Sequence, residues 1–294
     1  AAAVKRVLLL SDGQATVGVR DSAAFGRLAE RARDMGCAIT AIGVDVDYNE
    51  RIMSTIARRS NGRHYFVENP AELARVFDRE RQSLVRTVAA NGEMRIALGA
   101  GVQLLEVFDR SFRREGNTLV VPMGTFAAAE NKTVLLKVRL PRGATGIRSV
   151  AQIDLAFEDL VQGKPDHCGG QVATELTRDV AKVASLDPLV ASRLHRSLTA
   201  AVLTDANALF KRGKVASANR LLREKRRSLQ RQRTSLVATT PRPRRKEVEH
   251  DLDAQLGALE PFAEAAGPRA PASQTRQGKA SVHANAAVSD KFAL

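Results

Sequence analysis

Tryptophan is absent from this 294-residue chain, tyrosine occurs twice and aromatic residues make up 4% of it. That leaves few of the large aromatic anchors that dominate interface energetics. Cysteine occurs twice, at 37 and 168, too few for a disulfide framework. Cys37 sits in an apolar, strand-like run and reads as a small core residue. Cys168 follows His167 in "KPDHCGG"; two adjacent residues cannot close a four-ligand metal site, so this stretch reads as a loop. No run approaches the roughly 18–20 apolar residues of a membrane span, and the n-region and h-region of a signal peptide are missing. There is no P-loop, no G-x-G-x-x-G and no Ser-His-Asp order. The chain is therefore expected to be no enzyme.

Positive charge is what the chain has in excess, +14 overall, and it is unevenly spread. Residues 193–250 hold sixteen Lys and Arg against four acids, a surplus of twelve in one segment. Arg223, Lys225, Arg226, Arg227, Arg244 and Arg245 are its densest positions. Such a segment can hold phosphates without reading sequence. Phe210 is its one aromatic residue, and base stacking needs more. Charge runs on helices also commonly form solvated faces.

The pattern of apolar residues divides the chain. In 1–92, "VKRVLLL", "CAITAIGVD" and "RHYFVE" read as buried strands. They alternate with helices over 21–36, 48–62 and 70 to about 90. Phe25, Leu28, Ala32 and Met35 stripe the first helix; Leu73, Val76, Phe77, Leu84 and Val88 stripe the third. Asn49 or Asp47 caps the second, a better account of "DVDYNE" than a calcium loop, whose glycine and closing glutamate are missing. His64 reads as a packed strand residue. The alternation implies a parallel sheet with right-handed crossovers. In 93–183 the period falls to two, with Gly and Pro between segments, predicting an antiparallel β-sandwich of about five strands. Residues 184–266 return to helical spacing, with 240–246 as a linker. Residues 267–294, rich in Ala, Ser, Gln and Pro, show no period and are expected to be disordered. The fold class is thus α/β, a partial doubly wound parallel sheet, followed by a β-sandwich and an α-helical region.

Two resemblances follow from particular stretches. "VKRVLLLSDGQATVG" and "GCAITAIGVDVDYNERIMSTIARRSNGRHYFVENPAELARVFDRE" resemble the C-terminal half of a von Willebrand factor type A domain, in its bacterial branch. The resemblance implies a metal-ion-dependent adhesion site. In that family an Asp-x-Ser-x-Ser loop, a Thr loop and an Asp at the end of the fourth strand hold Mg²⁺ (or Mn²⁺ or Ca²⁺), and an acidic side chain of a protein partner completes the coordination. Asp12 matches the last of these ligands, with Ser11 and Gly13 forming its loop. The other two loops have no counterpart, so the resemblance implies that three strands precede residue 1 and that any metal site is weak or incomplete. It also implies that the first strand here is an exposed edge able to take a partner strand or a second copy, and it leans toward a cell-envelope or extracytoplasmic setting. Residues 205–222 are similar to one tetratricopeptide hairpin, through Ala208, Gly213, Ala218 and Leu222, although Lys225 breaks the pattern. A plain helical hairpin docked on the sandwich is the simpler alternative.

The expected function is therefore a non-enzymatic interaction module. The alternatives are a polyanion or nucleic-acid binder working through 193–250, and a subunit of a chelatase or ATPase-type assembly.

Overall fold

The computed structural model describes residues 4–12, 17–18, 20–143, 145–183, 185–262 and 272–292. The apolar run after Lys5 forms β1 (Lys5–Ser11). It is followed by α1 (Ser22–Asp34), β2 (Cys37–Val44), α2 (Glu50–Arg59), β3 (His64–Val67) and α3 (Pro70–Val85). Side-chain oxygens of Asp21, Asn49 and Asn69 accept the first free N–H groups of the three helices, which is why each helix starts where it does. The strands make a parallel sheet in the order β1-β2-β3, with Lys5 opposite Cys37 and Ala41 opposite His64. α2 buries Ile52, Met53, Ile56 and Ala57 against it.

Two apolar stripes fall differently from the expectation. On α1, Gly26 and Ala29 are buried, whereas Leu28 and Met35 are exposed. A Cβ at Gly26 would lie 3.2 Å from Thr55 Cγ2 of α2, so close helix packing turns the small residues inward. On α3, Phe77 is exposed and the buried positions are Val76 and Glu80. Glu80 is 0% exposed, yet four donors satisfy it: Arg6 Nη1 at 2.9 Å, Tyr65 OH at 2.9 Å, Thr40 Oγ1 at 3.0 Å and Arg63 Nη1 at 3.2 Å. Burial alone would raise its pKa. The charges of Arg6 and Arg63, with the hydrogen bonds from Tyr65 and Thr40, together outweigh burial and hold the carboxyl below its usual range.

The sandwich is β4 (Thr87–Leu98), β5 (Gln103–Phe108), β6 (Arg113–Glu115), β7 (Thr118–Ala127), β8 (Leu135–Arg139), β9 (Gly146–Asp159) and β10 (Lys164–Leu176). One antiparallel sheet runs β10-β9-β4-β7-β6, and β5 pairs with β8. Ile96, Leu98, Leu119, Val121 and Met123 alternate inward and make the core between the layers. Pro122 sits on β7 beyond the end of short β6, where a missing N–H breaks no ladder. "KPDHCGG" is no loop. It lies within β10, with His167 opposite Ala156 and Cys168, exposed, opposite Leu155. The paired glycines hid the first half of a strand whose second half, from 170 on, alternates as expected. A Cβ at Gly169 would sit 2.6 Å from Ile153 O, so the glycine is what lets the strands approach.

The helical region holds α4 (Pro188–Lys211), α5 (Val215–Thr239), α6 (Arg242–Ala258) and α7 (Arg276–Phe292). Leu203, Phe210, Leu222, Leu229, Val248 and Leu252 fill its core, and Phe210 stacks on Phe262 at 4.1 Å between ring centroids. Ala206, not Ala208, is the buried position on α4, which shifts the face away from the tetratricopeptide register. The expected linker 240–246 shrinks to Thr240-Pro241. Pro243 is accommodated in the first turn of α6, where its missing N–H has no helical acceptor to reach.

The largest correction concerns the tail. Residues 276–292, expected to be disordered, form α7, which lies between α4 and the α/β unit. Its inner face is Gly278, Val282, His283, Ala286, Ser289, Asp290 and Phe292, mostly small or polar and so without an apolar stripe. Hydrogen bonds do the docking, and close approach packs α7 on the turn that precedes it. Asn207 Nδ2 donates to Val282 O at 2.9 Å and Ser289 Oγ to Ala200 O at 3.0 Å. A Cβ at Gly278 would lie 1.9 Å from Ala272 O. The bundle thus meets the α/β unit through α7 and through Lys211 of α4 on Glu50, and it touches the sandwich where Ser197 of α4 hydrogen-bonds Asp109.

Candidate functional site

Ligands of open parallel sheets bind beyond the carboxyl ends of the strands. At that end β1 stops at Ser11, opposite Gly43 of β2. Asp12 follows, exposed, its carbonyl accepting Asn49 N–H at 2.6 Å. Gly13 lies outside the described residues. Beyond β2 the chain reverses at Asp45, with φ of 65°, and Tyr48 folds back over Gly43. A Cβ at Gly43 would lie 2.3 Å from the Tyr48 ring, so glycine is needed there. Tyr48 stacks on Phe66 at 5.6 Å and tilts against His283 of α7 at 4.3 Å.

α7 covers this end with charge of the opposite sign. Lys279 pairs with Asp47, and Arg276 reaches Asp45 at 3.4 Å and Glu68 at 3.5 Å. His283 Nε2 donates to Val46 O at 2.9 Å, its Nδ1 lies 3.3 Å from Glu50 Oε2, and Lys211 of α4 meets the same Glu50 oxygen at 3.0 Å. The hydrogen bond and charge of Lys279 hold the Asp47 carboxyl below its usual range. For Glu50, burial pulls upward, but the bond to His283 and the charge of Lys211 win. The acids of "DVDYNE" are thus engaged by the C-terminal helices.

Deeper in, Tyr48 OH meets His64 Nε2 at 3.1 Å, and His64 Nδ1 meets Asp290 Oδ2 at 2.7 Å. The geometry is that of a relay, with tyrosine where a nucleophile would stand. Burial, followed by the charges of Glu50 and Asp290, drives the Tyr48 pKa upward, so the phenol stays protonated. His64 was expected as a packed strand residue and is buried on β3. Its partner on α7 was invisible, because no local pattern joins residues 226 positions apart.

The structure also sorts the basic residues. Arg223 and Arg227 are exposed on α5, in one row with Arg220 and Arg231, directly opposite buried Ala218, Leu222 and Leu229. Lys225 and Arg226 turn toward the bundle. Arg226 pairs with Glu260 at 2.8 Å, and burial lowers the Lys225 pKa. Arg244 and Arg245 start α6. α6 runs antiparallel to α5, since Arg226 faces Glu260 and Arg233 faces Glu249 and Asp253. Arg244 therefore lies about 22 Å along α5 from Arg226 at 1.5 Å per residue. The six basic positions do not form one cluster.

Compared with known proteins, the chain is matched by no family model. Over 94 residues it is 29% identical to the uncharacterized protein YfbK of Escherichia coli, covering 32% of this chain and 16% of that protein. Over 171 residues it is 21% identical to the uncharacterized protein sll0103 of Synechocystis, covering 55% of this chain and 40% of that one. The chain thus spans well under half the length of the curated relatives it matches. Among solved structures, a von Willebrand factor type A protein from Catenulispora acidiphila superposes with a TM-score of 0.69 at 18% identity, over 90% of this chain and 60% of that one. The fold is von Willebrand factor type A-like. The human COPII-coat protein Sec24c also superposes, with a TM-score of 0.52 at 14% identity, over 97% of this chain and 40% of that one.

A von Willebrand factor type A fold raises the question of a metal centre. Among the described residues, no group of three or more His, Cys, Asp or Glu is placed to hold an ion. Near Asp12 the acids Asp45, Asp47 and Glu50 face Arg276, Lys279 and Lys211. Mg²⁺ needs near-octahedral oxygen coordination, and the described residues do not fit it. Nor, among them, is any helix long and apolar enough to cross a membrane.

Proposed function

We propose that this chain is a non-enzymatic protein-interaction module of the von Willebrand factor type A kind, and that it binds by taking a partner strand along β1. The observation that carries this reading is the state of β1. Among the described residues it hydrogen-bonds to β2 alone, and Val7, Leu8 and Leu10 are 47%, 38% and 47% exposed. Parallel strands are ordinarily covered on both faces, and an apolar open edge is a template for pairing. Lys5 and Arg6 protect it little, because four apolar residues follow without a break and Arg6 turns inward to Glu80. The reading needs no divalent ion. The protonated, buried Tyr48 supports its non-enzymatic part.

For the isolated chain the available strand is that of a second copy, arranged about a twofold axis. Light scattering is expected to show dimers or larger species, and Leu8→Lys/Leu10→Lys, two changes at exposed positions, to yield monomers. A monodisperse wild-type monomer with a single cooperative melt would sink the proposal.

A second reading, polyanion binding, is favoured by the row Arg220, Arg223, Arg227 and Arg231 on α5. It is a solvated face of four guanidinium groups rather than the sixteen cations of the whole segment.

A further inference from the structure

Beside β3, where the α/β unit, the sandwich and α7 meet, lies a cavity of about 680 Å³. Six cations line it: Arg6 of β1, Arg63 just before β3, Arg79 of α3, Arg110 and Lys132 from sandwich loops, and Lys291 of α7. Among its described lining residues Glu130 is the one carboxylate. Glu80, fully buried, neutralises part of Arg6 and Arg63 from behind. The charges do not balance.

Several of these cations are also out of water. The Arg6 side chain is 8% exposed and its buried Nε has no hydrogen-bond partner. Lys132 Nζ donates to Met123 O at 2.9 Å and Thr125 O at 2.7 Å, which occupies two of its three N–H groups. Its pKa is pushed down to about 8, first by burial and then, against the opposing charge of Glu130, by Arg110, Arg63 and Arg6. Burial likewise lowers Arg110, offset in part by Asp109 and Glu130. Crowding cations away from solvent is costly unless an anion meets them. The fold holds the cluster together from six separate places in the chain and leaves a space between them. That space is of the size that takes a small molecule, and Tyr65, Phe66, Met123 and Val288 give it apolar walls.

We propose that this cavity binds a small multivalent oxyanion, a phosphate- or polycarboxylate-bearing molecule, with Arg63, Arg110 and Lys132 inside and Arg79 and Lys291 at its mouth. Arginine forks and a lysine point charge are the groups that recognise such oxygens. The site is distinct from the β1 edge and does not rest on strand pairing there.

The test is titration calorimetry of the full chain with sodium pyrophosphate and, separately, trisodium citrate, with ionic strength held constant by sodium chloride. One site with a Kd below about 1 mM is expected for at least one of them. Preference for pyrophosphate marks a phosphoryl ligand, and preference for citrate a carboxylate one. Lys132→Gln is expected to weaken binding tenfold or more, and Arg79→Gln, at an exposed position, threefold or more. Arg223→Gln/Arg227→Gln, on α5, is expected to leave it unchanged. If Lys132→Gln does not fold, Arg79→Gln/Lys291→Gln decides. The proposal is overturned if neither anion binds below 10 mM, if binding survives the cavity variants, or if the α5 variant abolishes it.

Discussion

Lys132 is a base held where water barely reaches, and that makes it measurable. Its folded pKa of about 8 lies below the ordinary lysine value near 10.4. Between these two values the unfolded chain binds a proton that the folded chain does not, so unfolding takes up a proton and stability rises with pH. Below about pH 8 both states are protonated and the cost of burying the ammonium is fully present. We expect the stability of the wild type relative to Lys132→Met, from urea unfolding, to rise by about 2–3 kcal/mol from pH 8 to 10.5. Using the difference cancels the titration of the other lysines. A flat difference would show that the ammonium is not desolvated. Glu80 is the complementary case, a buried carboxylate kept ionised because two guanidinium groups, a phenol and a hydroxyl meet it. It ties β1, β2, β3 and α3 to one point.

At the scale of elements, the strands and helices of the α/β unit were readable because each carries its own local signal. β2 is a continuous apolar run, and Asn49 and Asn69 announce their helices. α7 carried no such signal. Its docked face has glycine, serine, histidine and aspartate where an amphipathic helix would show leucine, and its partners lie in distant parts of the chain. The first half of β10 was concealed by Gly169-Gly170 in the same way, while its second half alternates and read as a strand. Close approach and hydrogen bonding, unlike apolar burial, leave no periodic trace. The candidate site was legible in part. Asp12 was named through the resemblance of the stretch around it, and the cations that face its acidic neighbours belong to the helix that had no pattern. If close packing on the preceding turn helps order α7, Gly278→Val should loosen it, since a side chain there collides with the Ala272 carbonyl 1.9 Å away. Core overpacking typically costs 1–3 kcal/mol, and we expect a loss of about that size. Limited proteolysis should then cut within 272–292 while the rest of the chain resists. Unchanged protection of α7 would mean that its polar contacts alone suffice.

At the scale of the molecule, charge is the dominant feature, and its arrangement limits what it can do. Of the surplus of fourteen, twelve lie in residues 193–250. Arg193, Arg196, Lys211, Arg226 and Arg233 of that segment are already paired with Glu247, Asp251, Glu50, Glu260, Glu249 and Asp253. The start of α6 sits about 22 Å from the middle of α5, too far for both to serve one short stretch of backbone phosphates. What remains as a coherent surface is the row from Arg220 to Arg231, four guanidinium groups repeating once per helical turn. Each phosphate contact releases condensed counterions, so affinity for duplex DNA falls with salt at a slope of about −0.9 per contact. Four contacts give a slope near −4, whereas all sixteen cations would give about −14. We therefore expect weak, sequence-independent binding to a short duplex, with a slope near −4 in log affinity against log salt. In Arg223→Glu/Arg227→Glu the slope should fall by about 2 and affinity at least tenfold. With no tyrosine or tryptophan in the segment, single strands should gain nothing over duplex from stacking. A slope steeper than about −8, or binding indifferent to the two reversals, would mean that the paired arginines give up their carboxylates to the nucleic acid and that the segment acts as one basic surface.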